Sequence, residues 1–143
     1  MPSASRTISI DRPVEEVFAF FTTPSNDPKW RPHVKEINAL GPPATGSRIH
    51  QVVQGPGGRG IPADIQVTAY EPPNRYAFKA IAGPVRPEGE FRMTAAGETT
   101  EVTLSLNADL GGLKKLALSR SVQKAMEGEV GGLDAAKRLL EGH

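Results

Sequence analysis

The chain has 143 residues, room for one domain, and its 17 basic and 16 acidic residues leave a formal charge of +1, without the surplus of a nucleic-acid binder. It has no cysteine, which excludes a disulfide framework, a thiolate nucleophile, a cysteine-ligated zinc and an iron–sulfur cluster, and fits a reducing compartment. No window approaches the roughly 18 apolar residues of a membrane span, and the first ten residues lack a signal peptide's apolar stretch, so a cytoplasmic protein is expected.

Fifteen glycines and thirteen prolines predict many turns and short strands. Residues 6–10 alternate polar and apolar, the period of a half-buried strand. Asp11-Arg12-Pro13 then opens a helix, an acceptor side chain preceding a proline suited to the first turn. Val14, Val17, Phe18 and Phe21 follow as one apolar stripe. Residues 22–32 hold three prolines and the only tryptophan, and read as a loop or broken short helix. Strands are expected over 34–40 and 48–54, with a loop over 55–60. Residues 61–70 read as one longer strand, with Ile61, Ala63, Ile65, Val67 and Ala69 on one face and Asp64, Gln66, Thr68 and Tyr70 on the other. Further strands are expected over 75–81 (Tyr76 and Phe78 together), 89–95 (Phe91 and Met93) and 100–107 (Val102, Leu104 and Leu106). The turns between them are Glu71-Pro72-Pro73-Asn74, Gly83-Pro84 and Gly97-Glu98.

After Gly111-Gly112 the period turns helical to about Leu140, with Val122, Met126, Val130, Leu133 and Leu140 on one stripe. A helix of about 28 residues would run roughly 40 Å. Gly128, Gly131 and Gly132 interrupt it, each costing about 1 kcal/mol against alanine. Close approach to the sheet, space for a cavity, or a kink would each account for them. Strands joined by tight turns give an antiparallel sheet, and no linker or repeat divides the chain. The expectation is an α+β fold in a single domain, 1–143: a curved seven-stranded sheet around a long C-terminal helix, with two short helices after strand 1.

The order of these segments resembles the polyketide cyclase/dehydrase and lipid-transport superfamily, the START-like (SRPBCC) helix-grip proteins. The resemblance is carried by Ile8-Ser9-Ile10-Asp11-Arg12-Pro13-Val14-Glu15-Glu16-Val17-Phe18, Pro28-Lys29-Trp30, Val67-Thr68-Ala69-Tyr70-Glu71-Pro72-Pro73-Asn74-Arg75, Thr100-Glu101-Val102-Thr103 and residues 133–141. It implies an apolar cavity between sheet and helix that binds or transforms a lipid, polyketide or similar ligand, and it carries no fixed catalytic set. On that footing the candidate cavity walls are Phe18, Trp30, Val67, Phe78, Phe91, Leu104, Met126 and Val130.

Few polar side chains remain for chemistry. His33, His50, Arg92 and Glu129 are the catalytic candidates of an aromatase/cyclase reading, which needs an acid or base beside the substrate. The plain alternatives are a surface histidine for His33 and an exposed cross-strand charge for Arg92. His50 points outward if Ile49 and Val53 point inward. Glu129 either flanks the apolar stripe and reaches solvent or sits in the cavity with a raised pKa. Gly55-Pro56-Gly57-Gly58-Arg59-Gly60 matches the dinucleotide fingerprint in letters, but Ile61-Pro62 continues as strand rather than helix, so it reads as a hairpin loop. His33 and His50 are seventeen residues apart without a carboxylate cluster, so neither a metal nor a cofactor is expected. The leading function is binding of a hydrophobic or aromatic small molecule by a monomer or homodimer. The alternatives are the cyclase-type enzyme and a protein-interaction module, the last requiring a contiguous exposed apolar patch.

Overall fold

The computed structural model describes residues 3–82, 86–108 and 114–142, with side chains for all of these but 56 and 114–119. The expected turn at Gly83-Pro84, and Gly111-Gly112 before the expected helix, lie outside the described residues. In chain order the elements are β1 (Ser3–Ile10), α1 (Val14–Phe21), a 3-10 turn (Pro24–Asn26), α2 (Asp27–Trp30), β2 (Val34–Ala39) and β3 (Arg48–Gln54). A second 3-10 turn (Pro56–Gly58), β4 (Gly60–Pro62), β5 (Ile65–Glu71), β6 (Arg75–Ala80), β7 (Glu88–Ala96), β8 (Thr99–Asn107), α3 (Lys114–Gly131) and α4 (Leu133–Glu141) complete the chain. The strands form one antiparallel sheet in the order β1-β8-β7-β6-β5-β3-β2, with β4 beside β3, curled against the C-terminal helix.

The strand expected over 61–70 is opened at its middle. The pairs Val52↔Pro62 and Ile49↔Ile65 belong to one register, so β4 and β5 continue each other along β3. Between them side chains replace one backbone bond. The Gln51 N–H donates to Asp64 Oδ1 at 3.1 Å, and Gln51 Nε2 donates to the Ala63 carbonyl at 3.1 Å. Counted this way the sheet has the expected seven strands. The faces differ as well: a bulge at Thr68 shifts the register between Val67↔Phe78 and Ala69↔Ala77. It turns Tyr70 to the inner side, opposite to its place under strict alternation.

Helix α1 buries the expected stripe, Val14, Val17, Phe18 and Phe21. Asp11 is not its cap: Pro13 occupies that position in extended conformation, with no side-chain hydrogen bond. The C-terminal helix is interrupted once, at Gly132, whose backbone stays helical (φ −64°, ψ −15°). A Cβ there would lie 3.1 Å from both Cε3 and the carbonyl oxygen of Trp30. Gly128 and Gly131 are exposed, with nothing near a Cβ position, so close approach accounts for Gly132 alone, and the approach is to α2 rather than to the sheet.

Side chains from the helices seal the outer edge of β1. The Gln123 amide accepts from the Ser3 N–H (2.8 Å) and donates to the Ser3 carbonyl (2.6 Å), as a neighbouring strand would. Lys137 Nζ donates to the Ser9 carbonyl, and Glu141 accepts from the Asp11 N–H at 2.7 Å. These bonds engage the two ends of the edge, at Ser3 and at Ser9–Asp11, which makes it a poorer template for another chain.

Candidate functional site

The inner surface is built of aromatic rings. All eight aromatic residues of the chain join one contact network. Phe21 stacks on Phe91 at 4.7 Å between centroids, and Trp30 meets Phe21 edge-on at 5.4 Å. Tyr76 lies 6.3 Å from Phe91, 6.4 Å from Tyr70 and 6.5 Å from Phe18. The rings come from α1, α2, β5, β6 and β7, which the hairpins bring side by side.

At one margin of this interior sits a buried ionic cluster. Asp27 and Arg31 are four residues apart across α2, so they share a face, and Arg31 Nη1 donates to Asp27 Oδ2 at 3.0 Å. The Arg31 guanidinium also grips Glu129 of α3 with two bonds, Nε to Oε2 at 2.9 Å and Nη2 to Oε1 at 3.0 Å. Its Nη1 makes a further bond to Gln51 Oε1 at 2.8 Å, reaching across to β3. His33 Nε2 donates to Glu129 Oε1 at 2.6 Å. The cluster therefore ties the C-terminal helix to α2, to the start of β2 and to β3. The side chains of Arg31, Asp27 and Glu129 are only 14%, 16% and 21% exposed.

The two carboxyls respond in opposite senses. Burial raises the Asp27 pKa, against the charge and hydrogen bond of Arg31 and with the aid of Glu129's charge, and it stands at about 6. For Glu129 burial also acts upward. The His33 hydrogen bond and the charge and bonds of Arg31 outweigh it, and the carboxyl sits at about 2. Burial, then the charges of Asp27 and Tyr70, push the Tyr76 hydroxyl well up, so it stays neutral. A carboxyl near 6 can hold or release a proton at ordinary pH, whereas a paired carboxylate near 2 is a poor base.

Among the described side chains one buried polar atom is left over. Trp30 is 3% exposed, and its Nε1–H has no hydrogen-bond partner among the described residues. Gly132 lies against the Cε3 edge of the indole, and the N–H is on the opposite edge.

The profile of one protein family, polyketide cyclase / dehydrase and lipid transport, matches residues 1–141. The chain belongs to this family. No curated protein sequence matches it. Among solved structures, the protein TTHA0849 from Thermus thermophilus is similar at 20% identity and TM-score 0.76, covering 99% of this chain and 98% of that one. A START superfamily protein from Mycobacterium smegmatis is similar at 21% identity and TM-score 0.64, covering 92% and 98%. The Zhui aromatase/cyclase from Streptomyces sp. R1128 is similar at 14% identity and TM-score 0.72, covering 96% and 94%. Identities this low establish the shared fold. For this polyketide cyclase/lipid-transport family member, no helix among the described residues is long and apolar enough to cross a membrane.

Of the eight wall candidates, Phe18, Trp30, Val67, Phe91, Leu104, Met126 and Val130 are buried in the core cluster, and Phe78 packs against it. The catalytic candidates are scattered. His50 stands on the outer face of β3, between the buried Ile49 and Gln51, with Nδ1 donating to Asp64 Oδ1 at 2.9 Å and Nε2 lying 3.6 Å from Glu36 Oε1. Arg92 also points outward, 65% exposed and bonded to Glu90. Only His33 and Glu129 come together, and Glu129 is half-buried with a lowered pKa rather than a raised one. Among the described residues no group of three His, Cys, Asp or Glu side chains is arranged to hold a metal ion. Gly55–Gly60 leads directly into β4, as a hairpin loop does.

Four residues of the cluster and its surroundings escaped the sequence reading: Asp27, Arg31, Gln51 and Tyr70. Three of them had signals. Asp27 and Arg31 have the i, i+4 spacing of a helical ion pair, and Gln51 shares the inward parity of Ile49. Tyr70 had none, because the Thr68 bulge reverses its face.

Proposed function

We propose that the protein binds a hydrophobic or aromatic small molecule between the inner face of its sheet and the C-terminal helix. The observation that carries this reading is the aromatic network: every ring in the chain is gathered on one interior surface. Ligand sites are predominantly apolar, with few polar groups to set orientation, and here those groups are the ionic cluster at the margin. Family membership supports the same reading. The test is native mass spectrometry of protein purified from its own host, paired with titration of the neutral dye N-phenyl-1-naphthylamine. A co-purifying hydrophobic passenger, or saturable one-to-one dye binding, is the expected result. Absence of both overturns the proposal.

The enzymatic alternative has one observation of its own, the Asp27 carboxyl near 6 beside the aromatic interior. With His50 and Arg92 outside, proton transfer in a cyclase-type reaction would fall to Asp27, a positioned acid. The interaction-module reading has little to stand on. The exposed large apolar side chains among the described residues are Leu40 and Leu139, at the end of β2 and on α4, which make no contiguous patch.

A further inference from the structure

Two polar features adjoin the aromatic interior, and they are in opposite states. The Trp30 indole N–H is a donor with nothing to donate to among the described residues. An indole nitrogen cannot accept, so only a hydrogen-bond acceptor satisfies it. Arg31, the cation over the Trp30 ring, is already engaged. Its guanidinium carbon lies 6.0 Å from the Trp30 ring centroid, and its nitrogens are committed to Glu129, Asp27 and Gln51. Arg31 is shared between the carboxyls of Asp27 and Glu129, and His33 is bonded to Glu129 as well, so each basic side chain of the cluster already has a carboxyl partner. The cluster therefore offers no unpaired cation to an anionic head group.

We propose that the ligand is an uncharged aromatic molecule carrying a carbonyl-type acceptor oxygen, and that Trp30 selects it by donating its indole N–H to that oxygen. This rests on the binding reading above and adds to it the ligand's polarity and charge. A hydrocarbon of the same shape leaves the N–H unpaired, which reduces affinity about tenfold or more. A carboxylate brings its charge to a cluster without a free cation, and binds more weakly than the ketone for that reason.

The test displaces bound N-phenyl-1-naphthylamine with three molecules of one ring system: tetralin, 1-tetralone and tetrahydronaphthalene-2-carboxylate, at pH 7.5. The ketone is expected to displace the dye at about one-tenth the concentration of the hydrocarbon and of the acid. Because Trp30 is the only tryptophan, a single indole N–H resonance reports directly in the wild-type protein. 1-Tetralone should move it downfield, and tetralin should not. In Trp30→Phe the preference for ketone over hydrocarbon should fall below twofold. Should Trp30→Phe fail to fold, the wild-type resonance decides alone. Equal displacement by ketone and hydrocarbon, strongest displacement by the acid, or an indole resonance that 1-tetralone leaves in place overturns the assignment of Trp30 while the binding reading stands. Failure of the dye to bind together with absence of a co-purifying passenger removes both, and if the dye alone fails the indole resonance decides the assignment of Trp30.

Discussion

Asp27→Asn is expected to stabilise the protein at neutral pH, although it deletes one partner of a buried ion pair. In the folded state the Asp27 carboxyl is raised from 3.8 to about 6. A raised carboxyl pKa favours folding below 3.8, where the group is protonated in both states. That advantage is lost as pH climbs through 6, because the unfolded chain ionises first. A shift of about 2 units corresponds to roughly 3 kcal/mol. Asparagine keeps the shape of the protonated acid and an oxygen for Arg31 Nη1, while Glu129 still neutralises the guanidinium through two bonds. At pH 4 the two proteins should therefore differ by less than about 1 kcal/mol, and at pH 7.5 the variant should be more stable by about 3 kcal/mol, on the order of 10 °C in Tm for a domain of this size. Urea denaturation at half-unit steps from pH 4 to 7.5 measures the difference directly. A variant that is less stable at pH 7.5, or a stability difference that does not grow between pH 4 and 6, would refute the account of Asp27.

Glu129 should act in the other pH window. Its pKa is lowered from 4.5 to about 2, so the stability it contributes is present above 4.5 and is lost as pH falls toward 2, by roughly 3 kcal/mol. Acid titration of the wild-type protein against Glu129→Gln checks this. At pH 7.5 Glu129→Gln should cost about 3 kcal/mol, because Arg31 loses its two-bond partner, whereas Arg31→Met with Glu129→Leu should cost less than half as much in the same urea assay. Gly131→Ala should stabilise by about 0.5–1 kcal/mol, since a methyl there meets nothing, and Gly132→Ala should destabilise by about 1–3 kcal/mol, since it presses on the Trp30 backbone. Gln123→Ala frees both backbone groups of Ser3 at the sheet edge and should raise the dimer or aggregate fraction on size-exclusion chromatography.

The fold was legible because its signals are local. The alternation in β8 at Val102, Leu104 and Leu106, the stripe Val14, Val17, Phe18 and Phe21, and the turns at Glu71–Asn74 each depend on neighbours within a few residues. The two misplaced details of the sheet are of another kind. The break at Ala63 and Asp64 exists because a carboxylate and an amide side chain take over a backbone bond to a strand twelve residues away, and the Tyr70 reversal follows from one extra residue at Thr68. Neither alters the composition or period of its strand.

The ionic cluster is harder still to see in sequence. Arg31 and Glu129 are 98 residues apart, and what brings them together is the approach of the C-terminal helix to α2 at Gly132. The glycines in that helix looked like a single puzzle in sequence, yet they divide. Gly128 and Gly131 face solvent, and Gly132 lets Trp30 and the helix meet. Once they meet, the turn that carries Trp30 into the core also carries Arg31 to Glu129, so the aromatic wall and the charged margin have one structural origin. Replacing Gly132 should therefore weaken both together, lowering stability and moving the Asp27 and Glu129 titrations toward their ordinary values. Carboxyl carbon NMR titration of Gly132→Ala reads that coupling, and unshifted Asp27 and Glu129 resonances in a destabilised variant would separate the two features.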